Sequence, residues 1–493
     1  MPRAAVILTV LTALVAPAIR AQQPATSTDT GPDNPSELYK LQHSCSNLKG
    51  ILDCGQELFT GQPVHIAVGS IAPQNGFAGG VAYVGHKTTE NWRITWDSDA
   101  LASGNGSWRA GVYLKFVNTY EKAPTVEFGT KGRNLKPNLT ALPERPVINV
   151  YAQAISLNKL TYFGLGPKTT EAGRSFYGMR ESIVGASAVE PFAARLSAAV
   201  FGEVNGRFVD IRPSLGQPSP TIGALYTEAT APGLTKQAGT LQLGEGVRMR
   251  PVVWDDRLHL DYNLTYQQYI APGNSTFSFQ RLSTDLSQQF AIYKKTTRII
   301  LARDTNGPDE CSMDRDSENA ECSVDKFAQH HECLTVQGAT SSDCKELSRD
   351  LQGSFGFRVF STLSMTPGGD IVPYYFQPTL GGSDINGNQS LSSYQDYRFR
   401  APNVLLIREN FEHSIGSLPL GFTFMIDEGK VAFTRGGLGS SPWLHSFSAG
   451  LTLRAGGFPQ VYLLFSWGGN EGTHTIVNVN NSLLGGSTRP SLF

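Results

Sequence analysis

The chain has 493 residues, of which 17% are charged and 10% aromatic, with 51 glycines and a formal net charge of −1. So little charge falls below the roughly 25% usual in soluble domains, and a near-neutral total excludes the polycationic footprint of a nucleic-acid binder. Beyond the N-terminus no segment holds 18 uninterrupted apolar residues, so helical membrane spans are excluded as well.

Residues 1–21 read as a secretory signal peptide. Arg3 supplies the positive charge, Ala4–Ala18 are almost all apolar, and small residues lead to cleavage after Ala21. The apolar run is too short to span the ~20 residues a bilayer requires. An exported chain with low charge, abundant glycine and aromatic residues, and no helical span fits a β-barrel. Gln22–Pro35, rich in Ser, Thr, Pro, Asp and Gly, reads as a disordered tether. Ser36–Gln62 is too short for an ordinary independent domain.

From about Pro63 an alternating pattern runs to the end of the chain. In Leu258–Gln267 the residues Leu258, Leu260, Tyr262, Leu264 and Tyr266 fall on one face, and His259, Asp261, Asn263, Thr265 and Gln267 on the other. The split recurs at Ser446–Arg454 and at Leu241–Arg250, where Glu245 interrupts the apolar side. Sixteen strands are predicted, many of 9–14 residues, centred near Ile66, Val81, Ile94, Val112, Val150, Ile183, Val200, Val247, Leu260, Phe277, Phe360, Leu405, Phe424, Leu451, Leu463 and Val477. Tilted spans of ~9–11 residues suit a membrane barrel, whereas soluble strands average ~5–6. In lipid every backbone group needs an internal partner, so such a sheet must close. The expected fold is all-β: a closed antiparallel transmembrane barrel of about sixteen strands over residues 63–493, apolar side chains facing lipid and polar ones the lumen.

One stretch departs from a plain barrel. Asp304–Leu351 is polar and acidic and reads as an insertion that interrupts the eleventh strand, between Thr297–Arg303 and Gly356–Thr366. Its side of the membrane is open at this point. The six cysteines, Cys45, Cys54, Cys311, Cys322, Cys333 and Cys344, lie in polar sequence and are expected to form disulfides in an oxidising compartment. Cys45 and Cys54 are the natural local pair; the other four allow three pairings.

No Gly-x-Ser-x-Gly elbow, phosphate loop or His-Glu-x-x-His motif occurs. His330, His331 and Cys333 cluster, but the cysteine spacings match no zinc pattern, and a loop held by disulfides accounts for them. His259 and Asp261 share the wet wall of a strand, where polar residues serve solvation anyway. Neither an enzyme nor a cofactor or metal is expected.

The C-terminal part carries a further pattern. Val372-Pro-Tyr-Tyr-Phe-Gln-Pro-Thr-Leu380-Gly381-Gly382 is followed by Tyr394-Gln-Asp-Tyr-Arg398-Phe-Arg400, then Leu405-Leu-Ile-Arg-Glu409 and Phe424-Met-Ile-Asp427-Glu-Gly-Lys-Val431. This resembles the barrel of the BamA/TamA superfamily of outer-membrane assembly factors, the bacterial surface-antigen barrel. The resemblance implies sixteen strands, a location in the bacterial outer membrane, and a sixth extracellular loop folded into the lumen. In that family the loop carries Leu-Gly-Gly and Arg-Gly-aromatic motifs, and its Arg contacts acidic groups on the wall. Asp427 and Glu409 match the acidic positions. Ser392-Ser393 stands where Arg-Gly is expected, which leaves Arg398 or Arg400 to replace the missing arginine; the alternative is that both carboxylates are simply solvated. Residues 22–62 leave no room for a POTRA repeat, the periplasmic module with which the family binds clients.

Two functions follow from the resemblance. One is assisted insertion or translocation of outer-membrane proteins. The other is a structural or channel-type transport barrel that has lost the assembly role. The implied partners are outer-membrane lipid and lipopolysaccharide, with unfolded outer-membrane proteins or a separate POTRA-type protein under the first reading.

Overall fold

The computed structural model describes residues 64–119, 145–193, 196–216, 220–254, 257–300, 332–334, 343–416, 418–455, 458–469, 471–479 and 490–492. The expected signal peptide and tether lie outside them, as do Cys45, Cys54, Cys311 and Cys322.

Among the described residues sixteen strands follow one another as a single antiparallel meander, to which the short segments Val252–Val253 and Glu332–Leu334 add. They are β1 (Val64–Ser70), β2 (Phe77–Thr88), β3 (Trp92–Ser103), β4 (Trp108–Asn118), β5 (Val147–Tyr162), β6 (Ser175–Ala193), β7 (Ala198–Arg212) and β8 (Thr240–Met249). There follow β9 (Leu258–Ile270), β10 (Phe279–Ile300), β11 (Asp343–Met365), β12 (Asn403–Ser414), β13 (Leu420–Ala432), β14 (Leu444–Ala455), β15 (Phe458–Trp467) and β16 (Thr473–Val479). Each pairs with the next in sequence. Every predicted strand centre except Phe277 falls inside one of them. Phe277 instead closes a short 3-10 turn, Ser275–Phe277, that leads into β10.

The wall is polar inside and apolar outside. Val184, Phe208, Leu264, Phe424, Leu451, Phe465 and Val477 are exposed. Their strand neighbours on the opposite face, among them Glu181, Arg207, Asp427, Ser446, Ser448, Thr452 and Arg454, are buried. The alternation read from Ser446–Arg454 therefore has the expected polarity, and in Leu258–Gln267 Asp261 and Asn263 line an interior cavity while Leu264 is exposed on the other face. Several buried charges are paired, which offsets their desolvation: Arg207 with Glu181 at 2.9 Å, Arg109 with Asp99 at 3.1 Å, and Arg454 with Glu412.

The predicted insertion falls between two paired strands, and its residues 304–331 and 335–342 lie outside the described residues. Thr297–Ile300 are the end of β10 rather than a separate strand, so the count stays even. Asp343–Leu351, expected in the insertion, instead belong to β11 and pair with β10. β9 reaches only to Phe290 of β10, and β12 meets β11 only from Gly353, so the two long strands run on past their neighbours as a two-stranded ribbon. Glu332–Leu334 add to its edge, with Cys333 opposite Cys344 in backbone register. Strand parity relates the rims to one another. In an up-and-down meander the end of β10 and the start of β11 share a rim with the start of β1 and the end of β16, and residues 366–402, between β11 and β12, lie at the other.

Candidate functional site, an inward-folded loop

The connection Thr366–Pro402 does not stay at its rim. Tyr374–Phe376 form a single 3-10 turn, Thr379–Leu380 pair with Phe399–Arg400, and Gly382–Ser383 pair with Gln389–Ser390. Tyr374, Tyr375 and Phe376 are fully buried. They join an aromatic cluster of the wall: the Tyr374 ring lies 5.1 Å from Tyr162 and 5.5 Å from Tyr177, and Phe376 lies 5.4 Å from Tyr269. Edge-to-face pairs of this kind add ~0.5–1.5 kcal/mol each beyond burial. Further along, Leu380, Leu391, Tyr394 and Phe399 pack on Val404, Leu406 and Val431, inward residues of β12 and β13.

The Leu380-Gly381-Gly382 motif has a steric cause. Gly381 and Gly382 have φ of +100° and +57°, in the region open to glycine. A Cβ on Gly381 would lie 2.5 Å from the Arg398 Cβ, and one on Gly382 would lie 2.5 Å from the Asp396 nitrogen. Only bare backbone lets the two arms of the loop approach this closely. The Asp396 carboxylate then accepts the Ser383 N–H at 2.8 Å.

Of the predicted lock residues, Asp427 is the wall's acceptor. It is buried and takes the Leu391 N–H of the loop at 2.7 Å. Its charge partner is Arg408, directly opposite in the β12–β13 register, through two hydrogen bonds of 2.7 and 2.9 Å. Arg408 also donates to the loop carbonyl of Gln389 at 2.7 Å. The arginine that holds Asp427 thus comes from the wall, not from the loop, and neither Arg398 nor Arg400 takes that place. Ser392 and Ser393 are fully buried, and the Ser393 N–H donates to the Ser446 hydroxyl at 2.8 Å.

Glu409 is a correction. Alternation puts it on the opposite face from Arg408, exposed on the outer side with Leu405 and Ile407, where no loop residue reaches it. Strand parity decides this: a carboxylate one residue away from an inward arginine points outward.

Arg398 and Arg400 have other work. Arg398 ion-pairs with Glu471 in the β15–β16 turn, with both side chains buried, and donates to the Thr169 hydroxyl and carbonyl at 2.6 and 2.7 Å. It lies over the Phe163 and Phe399 rings at 4.9 and 4.6 Å. Arg400 braces the loop itself, donating to the Tyr374 carbonyl at 2.7 Å and to that of Gln377 at 3.3 Å. Tyr394 packs against Phe399 and over Gly469 of the β15–β16 turn, where a Cβ would lie 2.0 Å from its hydroxyl. Tyr397, at a left-handed φ of +61°, donates its hydroxyl to the Pro73 carbonyl in the β1–β2 turn at 3.1 Å. Burial holds that hydroxyl well above the ordinary phenol range, so it remains a protonated donor.

Sequence reasoning missed Arg408, Tyr397 and Glu471. Arg408 was legible in part, because it shares the inward parity of β12; its register against Asp427 was not. Among the described residues no group of His, Cys, Asp and Glu is placed to hold a metal. Asp261, one of the wet-wall pair weighed for catalysis, is half-exposed and pairs with Arg250 at 3.2 Å.

No family model and no curated protein matches the chain. Among solved structures, CdiB from Escherichia coli aligns with a TM-score of 0.43 and 12% identity over 84% of this chain and 61% of that one. BamA from Haemophilus ducreyi lacking POTRA domains 1–3 aligns with a TM-score of 0.40 and 8% identity over 89% of this chain and 80% of that one. The chain thus spans about three-fifths of the length of CdiB.

Proposed function

We propose that the chain is an integral outer-membrane β-barrel, closed between β1 and β16, that assists the insertion or translocation of outer-membrane proteins as the BamA/TamA factors do. One observation supports this reading above others. The sixteen-strand meander has an apolar outer face and an ion-paired interior, and its inward loop grips both ends of the sheet. An apolar exterior is the solvent-facing surface of a protein dissolved in lipid. A loop that reaches the first and the last hairpin is placed to brace the seam at which a client would enter. Residues 1–21 as a signal peptide, lipid and lipopolysaccharide as surroundings, an unfolded outer-membrane protein as client and a POTRA-bearing protein as helper belong to the same reading, in which the chain is not an enzyme.

The test is a folding assay. The purified protein is reconstituted in liposomes, an unfolded outer-membrane protein is added, and its protease resistance is followed over time. Faster folding than in empty liposomes is expected. No acceleration, with the barrel itself shown folded by heat-modifiable gel mobility, favours a channel-type barrel. That second reading is supported by an interior cavity of about 650 Å³ lined by Glu203, Arg248, Asp261, Asp285 and Arg358.

A further inference from the structure

Residues 490–492, beyond β16, lie in the interior. Pro490 and Ser491 line the cavity just described. The Ser491 carbonyl accepts a hydrogen bond from Arg207 Nη2 at 2.9 Å, and the Leu492 N–H donates to the Asn386 side-chain oxygen of the inward loop at 2.8 Å. The Leu492 side chain is buried in the larger apolar cluster, against which Ile385 also packs.

The wall side of this contact is built. Arg207 is almost wholly buried, on β7. Its Nη1 is held by Glu181 at 2.9 Å, and its Nε by Gln242 at 2.6 Å and Asn205 at 3.1 Å. Three wall residues from β6, β7 and β8 therefore orient the guanidinium so that Nη2 faces the interior. A buried cation held in this way presents one donor in a fixed direction at low reorganisation cost. Asn386 offers an acceptor and the apolar cluster offers a slot. Together they read the two sides of one peptide unit, the Ser491 carbonyl and the Leu492 N–H, and the Leu492 side chain that follows it, so the contacts combine main-chain recognition with a side-chain pocket.

We propose that Arg207, Asn386 and the apolar slot form a peptide-binding site on the interior wall, occupied in this structure by the chain's own Pro490–Leu492. Its ligand class is an extended segment with a small or polar residue followed by a bulky apolar one. The inference rests on the polypeptide-handling reading above for its use, but not for its test. Tethering makes the chain's own segment an intramolecular competitor, so a free peptide binds only when that segment is gone.

The test uses the full chain, a variant ending at Ser487, and full-length Leu492→Asp, all in detergent. The probe is a fluorescent, amidated peptide of residues 488–493, followed by anisotropy. Saturable binding is expected for the shortened chain and for Leu492→Asp, with the intact chain at least about tenfold weaker. Aspartate at the Leu492 position of the peptide, or Asn386→Ala in the shortened protein, weakens binding by about tenfold. No binding to either released variant while heat-modifiable mobility is intact overturns the proposal, as does equal binding by the intact chain. Loss of mobility in the shortened chain leaves Leu492→Asp to decide. Peptide binding without acceleration of client folding sinks the assembly role and keeps the site; acceleration without peptide binding does the reverse.

Discussion

Tyr397 and Arg398 are neighbours in the chain, yet they hold opposite ends of the sheet. The Tyr397 hydroxyl reaches Pro73 between β1 and β2, and the Arg398 guanidinium reaches Glu471 between β15 and β16. A dipeptide on one loop thus ties the first hairpin to the last. Tyr397 stands in a turn, and the turn rather than strand alternation sends the two side chains apart. The left-handed φ at Tyr397 is local strain, of the order of 1–3 kcal/mol, held by these contacts.

Removing the arginine end of that tie should be costly. Arg398→Ala leaves Glu471 buried without its cation, a change that destabilises by ~3–5 kcal/mol in comparable pairs. The temperature at which heat-modifiable mobility is lost in detergent should fall. Adding Glu471→Ala should recover part of the loss; a double variant worse than the single one would contradict the pairing.

Asp427 bridges wall and loop, so its substitutions should separate the two roles. Asp427→Asn keeps an oxygen for the Leu391 N–H but takes the charge from Arg408. Asp427→Ala loses both, at ~1.5–3 kcal/mol for each charge-assisted bond. Limited proteolysis within residues 383–392 should be slow in the native protein, faster in the asparagine variant and fastest in the alanine variant. Glu409→Ala should leave the rate unchanged, since Glu409 faces outward.

Gly382→Ala should act through sterics alone. The added carbon meets the Asp396 backbone, and the left-handed φ adds strain, together ~1–3 kcal/mol. The denaturation midpoint in detergent should drop, with no change for Gly387→Ala beyond its own positive φ, because open space surrounds Gly387.

The outer face answers to its solvent. Leu451→Arg on β14 should cost ~2–4 kcal/mol in a bilayer if the site lies at mid-membrane. The reading is the yield of heat-modifiable protein after folding into liposomes. An unchanged yield would argue that Leu451 does not face lipid.

One pH dependence follows from the β7–β8 connection. Glu228 accepts the N–H of Gly233, and from Thr235 both the N–H and the hydroxyl, at 2.8 and 2.7 Å. Burial pushes its carboxyl up, but these bonds outweigh it and bring the group below the ordinary carboxylate range. A carboxylate depressed in the folded state stabilises above its unfolded pKa, and that contribution is lost as pH falls through the folded value. Thermal midpoints between about pH 6 and about pH 3 should therefore decline more in the native chain than in Glu228→Gln.

Alternation is a local property, and it was enough to predict the strands and their polarity. Ser446, Ser448, Thr452 and Arg454 face inward because a strand's side chains must alternate, whatever their partners. The Leu-Gly-Gly run was legible only through the family resemblance, and its steric cause appears only when the two arms of the loop meet. What the sequence could not settle depends on register and on contacts distant along the chain. Arg408 meets Asp427 only because β12 and β13 pair as they do, and a slip of one residue in either strand would put the two on opposite faces. Glu471 meets Arg398 from 73 residues away, and Ser491 meets Arg207 across 284. Closing such loops is decided by packing of the whole sheet, which no local pattern encodes. The rim at which β10 ends and β11 begins likewise followed from their pairing, because parity counts strands and not residues.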